Sequence, residues 1–432
     1  MERITSPQTG DSCIHVKHES GLEIYISEMP GFSSVEALFG TKYGSINTMF
    51  KQRDDEEYTV VPEGIAHFLE HKLFENEDCD VFALYAKTGA NGNAFTSFDK
   101  TAYLFSCTKN YQASLKILLD FVQAPYFTQE TVDKEQGIIG QEIQMTNDEP
   151  DWRVLFNMLG AMYHDHPVKI DIAGTKESIA KIDADLLYKC YYTFYNLNNM
   201  VLSVAGNVKA EEVLAICDEC LKPCEDKGLE TVFPDEPETV VKNEVYEQLP
   251  VGTPMFNLGY KCDDCYGTER LVKEVTGSIA ISVLTDDASD FYKKLLTEET
   301  INDSLDGQVF CGDGYFSVIF EGESKKPKKL REELFAEIER IGREGIDEKV
   351  FERIRRSTYG SMIRMTNSVE AVAMSALNLA MQGVGPYDEI KILSELKSSD
   401  VVQFIRDSLI PDKSVLSVID VPGGNAFESG VE

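Results

Sequence analysis

Long apolar runs are missing from this 432-residue chain: nowhere do eighteen or more apolar residues follow one another, which excludes an ordinary membrane-spanning helix. The amino terminus mixes Glu2, Arg3, Asp11 and Lys17 with single apolar side chains and so lacks the apolar core of a secretion signal. Low-complexity tracts are absent too, and 43% hydrophobic with 27% charged residues is the composition of a folded globular protein. Positive charge is scarce. Forty-one Lys and Arg against 74 Asp and Glu leave a net charge of −33, which repels nucleic-acid phosphates and anionic lipid and favours basic peptides as partners. Histidine is scarcer still: all six lie at or before His166, so imidazole chemistry belongs to the first half.

Ten cysteines without a signal segment point to the reducing cytoplasm rather than to a disulfide framework. Two CxxC pairs stand out, Cys217/Cys220 and Cys262/Cys265, and four thiolates suit a structural zinc. Against that, Cys217 and Cys220 fall in an amphipathic pattern at 210–221, where cysteine serves as a small buried hydrophobe, and more than forty residues separate the pairs.

The length suits two domains of about 200 residues each. Alternation at 22–29 and 35–43 reads as strands, 94–97 with 101–107 as a hairpin, and 200–206 as a further strand. Helical periodicity occupies 112–122 and 129–145. Mixed strands and long helices indicate an α+β class. An acidic, Pro-containing stretch at 226–245 reads as a linker between a domain at 1–225 and one at 246–432. The pattern then begins again. At an offset of 219 residues Phe127, Thr128, Val132 and Lys134 fall on Ile346, Asp347, Phe351 and Arg353, each stretch opening a long helix behind a Thr or Asp cap. In that overlay Glu135 meets Ile354 and Glu142 meets Ser361, so the second half does not repeat a metal site built on the first.

The segment 63–74 carries apolar residues at helical spacing behind Pro62. His67 and His71 lie four apart on one face, and two imidazoles one turn apart can share a tetrahedral zinc. Glu70 points near the same face, placed to take a proton from water whose pKa zinc lowers. A third ligand comes from the helix at 129–145, where Glu135 and Glu142 are seven apart and face the same way. Glu142 is expected on the metal, with Glu135 behind it, orienting a histidine or the water. Standing alone, a His-x-x-Glu-His string is ordinary helix. His164 and His166, an HxH before Pro167, read as a polar turn, and His15 and His18 as solvated.

The HFLEH string at 67–71, Gly89-Ala-Asn-Gly-Asn-Ala-Phe-Thr-Ser97, Thr101-Ala-Tyr103 and the Glu135/Glu142 pair together resemble the inverzincin family that includes pitrilysin, insulysin and the mitochondrial processing peptidase. The likeness covers nearly the whole chain, and 64–75 with 137–142 resemble processing-peptidase-like proteins of Gram-positive bacteria. The resemblance implies two similar domains, each a mostly antiparallel sheet flanked by helices, together half of a clam-shell closed by a second such chain. It implies one zinc per chain and an edge strand, Asn93, Ala94, Phe95 and Thr96, that pairs with substrate backbone; a paired interior strand is the plainer alternative there. Members of the family carry an Arg and a Tyr seven apart that hold the substrate carbonyl. Here Leu296 and Asp303 stand at those places, and neither donates to an oxyanion at neutral pH. The expectation is a cytoplasmic zinc endopeptidase for short or unfolded peptides, working as a heterodimer with a related two-domain subunit or as a homodimer. A non-catalytic scaffolding subunit and a maturation peptidase for one dedicated peptide are the alternatives.

Overall fold

A computed structural model of the chain describes residues 1–76, 80–302 and 305–424, and Asp303 lies outside the described residues. The chain divides into two compact units, one of Met1–Ile143, Asp171–Phe233 and Met362–Asp388, the other of Gln144–Ile170, Pro234–Ser361 and Glu389–Glu432.

The first unit contains β1 (Glu2–Thr5), β2 (Ser12–Lys17), β3 (Glu23–Glu28), β4 (Val35–Thr41), β5 (Met49–Lys51), β6 (Thr59–Val60), β7 (Asn91–Thr96), β8 (Thr101–Cys107), β9 (Met200–Gly206) and β10 (Glu230–Thr231). Seven of them form one sheet in the order β1-β2-β3-β9-β4-β8-β7, and β10-β5-β6 form a small second one. Only β3 and β9 run parallel within the large sheet. Central β4 and β9 are buried along their whole length, as their near-continuous apolar runs require. Ala37, Phe39, Tyr103, Phe105, Leu202 and Val204 supply one face of the core, on which Phe68, Leu69 and Leu73 of the histidine-bearing helix also sit.

The second unit contains β11 (Glu244–Gln248), β12 (Met255–Cys262), β13 (Leu305–Gly312), β14 (Tyr315–Glu323) and β15 (Ser414–Asp420), ordered β11-β15-β12-β14-β13. Again one pair, β11 with β15, is parallel and the rest antiparallel. Order and direction therefore repeat those of β3-β9-β4-β8-β7, which makes the fold α+β with two similar, mostly antiparallel sheets flanked by helices.

The units do not follow the chain linearly, and in this the structure departs from domains cut at 1–225 and 246–432. One crossing, between Phe233 and Pro234, does fall in the acidic stretch at 226–245. In addition each half of the chain contributes a helix to the other unit: Pro150–Met162 packs on β11, β12 and β15, and Val369–Met381 on β3, β4 and β9. Helical periodicity shows which face of such a segment is apolar, but not which sheet covers it. The exchange is itself duplicated. A Cβ on Gly40 of β4 would stand 2.5 Å from the Met381 Cε, and one on Gly259 of β12 would stand 2.5 Å from the Met162 Cε, so glycine admits a methionine at both places. Gly40 and Gly259, like Met162 and Met381, are 219 positions apart. The caps expected at that offset are present as well, Thr128 Oγ1 accepting from the Thr131 N–H and Asp347 Oδ1 from the Lys349 N–H.

Candidate metal centre and active site

The helix Ile65–Leu73 starts behind Gly64, whose φ of 85° is left-handed and free of strain for glycine alone. A Cβ there would meet the Ala173 carbonyl oxygen at 2.3 Å, and Ser178 Oγ donates to the Glu63 carbonyl at 2.9 Å. These contacts fix the entry of the helix. Ile65, Phe68, Leu69 and Leu73 bury its apolar side, which turns His67, Glu70 and His71 toward the second site helix, Gln129–Asn147. On that helix Val132, Ile139 and Ile143 are buried, and Glu135 is buried among them at 6% exposure. Glu142, two turns on, is 41% exposed at its side chain.

Nε2 of His67 lies 3.7 Å from Glu142 Oε1, and Nε2 of His71 lies 3.6 Å from Glu142 Oε2. Two ligand atoms on one tetrahedral zinc stand about 3.4 Å apart, so the three side chains are spaced as ligands rather than as hydrogen-bond partners. Among the described residues this is the one group of three or more His, Cys, Asp or Glu side chains able to hold an ion. The donor set fits zinc with one coordination position left for water or substrate. The two CxxC pairs form no such group: Cys217 belongs to the apolar core and Cys262 lies beside the Ser408 carbonyl.

Electrostatics sort the site's groups. Burial, with His71 alongside, lowers the His67 imidazole to about 4 and keeps its lone pair free at neutral pH. Its Nδ1 is buried and meets no hydrogen-bond partner among the described residues. Burial would lower His71 as well, but the hydrogen bond from Nδ1 to Glu135 Oε1 at 3.0 Å, with the charges of Glu70, Glu142 and Glu135, raises it instead. Burial would raise Glu135, yet the same hydrogen bond and the His71, Lys72 and Lys134 charges bring it below the ordinary carboxyl range. Glu70, 9% exposed, is raised by burial against the opposing Thr96 hydrogen bond. A carboxylate made more basic in this way is suited to accept a proton.

β7 ends the strand order, so Asn93, Ala94, Phe95 and Thr96 pair on one side with β8. Thr96 Oγ1 donates to Glu70 Oε2 at 2.7 Å and lies 3.2 Å from Thr101 Oγ1, which donates to the Tyr43 carbonyl at 2.8 Å. The end strand is thus tied to the carboxylate beside the candidate ligands, a link that no spacing along the chain signals. Leu296 is on the helix Asp290–Thr297 and 38% exposed. Two minor sites differ from expectation. His18 is not solvated: its side chain is 8% exposed and bonded to Ser20 Oγ and Asp218 Oδ1, both at 2.9 Å. His166 does lie in a turn, but fully buried, accepting from the Val168 N–H and donating to the Asp313 carbonyl. No helix among the described residues is long and apolar enough to cross a membrane.

Comparison with known proteins supplies the family. Residues 55–176 match the family model for Insulinase (Peptidase family M16), and residues 181–358 the model for the Peptidase M16 inactive domain. The chain is 38% identical over 418 residues, 96% of its length and 97% of the other's, to the Bacillus subtilis (strain 168) protein described as "Uncharacterized zinc protease YmfH". Over 156 residues, 35% of this chain and 29% of the other, it is 31% identical to the Arabidopsis thaliana "Probable mitochondrial-processing peptidase subunit beta, mitochondrial". The crystal structure of an M16-like peptidase from Alicyclobacillus acidocaldarius superposes with a TM-score of 0.92 at 32% identity, covering 97% of this chain and 100% of that one. On this sequence, fold and site, the chain belongs to the M16 (insulinase) family of peptidases.

Proposed function

We propose that the chain is a zinc endopeptidase that cleaves short or unfolded peptides, with zinc held by His67, His71 and Glu142 in a ratio of one per chain. The observation that carries this reading is the convergence of three ligand atoms within 4.8 Å of one another beside Glu70, the most buried carboxylate of the site after Glu135. Zinc bound there supplies positive charge that lowers the pKa of water and polarises a peptide carbonyl. Glu70, oriented by Thr96, takes the proton from the attacking water and passes it to the departing amine. Glu135 fixes the His71 ring. The end strand Asn93, Ala94, Phe95 and Thr96 adds the substrate as a further strand, which selects extended peptides through main-chain hydrogen bonds. The net charge of −33 favours basic ones.

The chain works in this reading with a related two-domain subunit. Leu296, aliphatic and partly exposed, stands where a donor to the substrate carbonyl is expected, and losing one such donor costs about a hundred- to a thousand-fold in rate. The Arabidopsis relative is described as a subunit, which fits a paired enzyme. A scaffolding role without catalysis is the second reading, and the missing donors favour it. Metal content and peptide cleavage, measured on the chain alone and after mixing with co-purifying relatives, separate the two. Expected are about one zinc per chain, abolished by His71→Ala, and cleavage that the partner raises and Glu70→Gln removes while the metal stays. Full zinc in His71→Ala sinks the site, and undiminished cleavage by Glu70→Gln sinks the mechanism.

A further inference from the structure

Lys72 follows the ligand His71 directly and is fully buried. Its ammonium donates to the Glu75 carboxylate and, at 3.3 Å, to the Thr131 carbonyl oxygen. Thr131 lies on the helix Gln129–Asn147, one turn ahead of Glu135 and on the way to Glu142. One ammonium therefore ties the helix that carries both histidines to the helix that carries both glutamates.

Keeping an ammonium out of water is expensive, and among the described residues its partners are one partly exposed carboxylate and one carbonyl. Methionine has a similar length and fills the same volume without that cost. The ammonium bridges the two helices that carry the candidate ligands. What it can act on is the spacing of the two helices, because the 3.6 and 3.7 Å gaps from the imidazoles to Glu142 depend on how those helices are placed.

We propose that Lys72 is a positioning residue of the metal centre: by clamping the Thr131 carbonyl it fixes the distance between the His67/His71 pair and the Glu135/Glu142 pair. The proposal rests on the reading of that cluster as a zinc site. Glu135, on the second of these helices, is the acceptor that orients His71, so the same spacing sets that contact as well.

The test uses the full chain with Lys72→Met, Lys72→Arg and Glu75→Gln. Zinc affinity is read by competition with a chromophoric chelator, ligand geometry by the visible absorption of the cobalt-loaded protein, and folding by the thermal midpoint. Lys72→Met is expected to keep or raise the midpoint, to bind zinc about ten-fold more weakly and to alter the cobalt bands. Lys72→Arg recovers part of the affinity. Glu75→Gln, at a partly exposed position, shifts affinity and bands in the same sense by less. Folded Lys72→Met with parental zinc affinity and cobalt bands overturns the clamp. Should Lys72→Met not fold, parental affinity and bands in Glu75→Gln overturn it equally. A parent chain that binds no zinc overturns the site reading itself, and the clamp with it.

Discussion

His71 donates a hydrogen bond from Nδ1 to Glu135 Oε1 at 3.0 Å, which leaves Nε2, 3.6 Å from Glu142 Oε2, as the nitrogen turned toward the candidate metal site. The tautomer and the ring orientation are set by one buried carboxylate. Glu135→Gln keeps the size but loses the charge, and its amide can turn a donor toward the imidazole. Zinc affinity is expected to fall about 10- to 100-fold with the fold intact. Chelator competition checks this, and parental affinity would remove Glu135 from the centre.

Thr96 is shared between the strand that ends the sheet and the carboxylate beside the ligands. Hydrogen bonds to charged groups contribute about 1.5–3 kcal/mol, and about 1.4 kcal/mol is a factor of ten in rate. Thr96→Val keeps the β-branched shape and the backbone pairing, so it should lower kcat about 10- to 100-fold and leave zinc content and KM little changed. A large rise in KM with kcat intact would mean that Thr96 serves the substrate strand alone.

Gly64→Ala combines a left-handed φ of 85° with a Cβ only 2.3 Å from the Ala173 carbonyl oxygen, a backbone atom that cannot swing aside. The conformational penalty alone is about 1–2 kcal/mol, and the clash adds to it. Gly10 is the control: its φ is 80°, but an added Cβ would meet nothing within 4 Å. In urea, Gly64→Ala should therefore lose about 3 kcal/mol or more and Gly10→Ala about half of that or less. Equal losses would show that the contact with Ala173 is unimportant.

What could be read from the residues was local. The strands at 101–107 and 200–206 have the limits their apolar patterns give, and the helix at 129–145 runs only to Asn147. The candidate ligand set could be named because it depends on two intervals, four between the histidines and seven between the glutamates, and the structure brings His67, His71 and Glu142 together. Which helix covers which sheet was not legible. Pro150–Met162 and Val369–Met381 are apolar on one side whatever they pack on, and the glycine–methionine contacts that place them join residues about a hundred positions from each other in the first case and more than three hundred in the second. Lys72 and the bond from Thr96 to Glu70 escaped for the same reason, since a buried lysine and a strand threonine carry no interval that names their partners. His18 differed because its partner, Asp218, is 200 residues away.

Glu236, inside the acidic stretch that joins the units, is buried enough to matter for acid stability. Its carboxylate accepts from the backbone N–H groups of His164, Asp165 and His166, each at 2.8 Å, and from Lys261 Nζ at 2.5 Å. Burial works to raise it, but these four donors outweigh that and bring its pKa to about 2. The same pair looks less favourable from Lys261, whose ammonium is lowered by burial in spite of Glu236. The acid limb follows Glu236, because the lysine keeps its proton in both states when the pH falls. His166 adds to that limb: burial brings it to about 4 against the opposing hydrogen bond to Asp313. For both groups the folded pKa lies below the unfolded one, near 6.5 for histidine and 4.3 for glutamate. As pH falls, the unfolded chain takes up protons that the native one refuses, so what these two groups contribute is complete above about 6.5 and declines first through His166 down to about 4, then through Glu236 between about 4.3 and 2. Glu236→Gln leaves the ammonium without its counter-charge and should cost about 3 kcal/mol at pH 7. Since the parent forfeits the same contribution in acid, the gap between parent and variant must narrow below about pH 4, while the decline due to His166 remains in both. Chemical unfolding of the two proteins from pH 7 to pH 3 measures this. A gap that stays constant across the range would show that the Glu236 carboxylate contributes shape there and no charge.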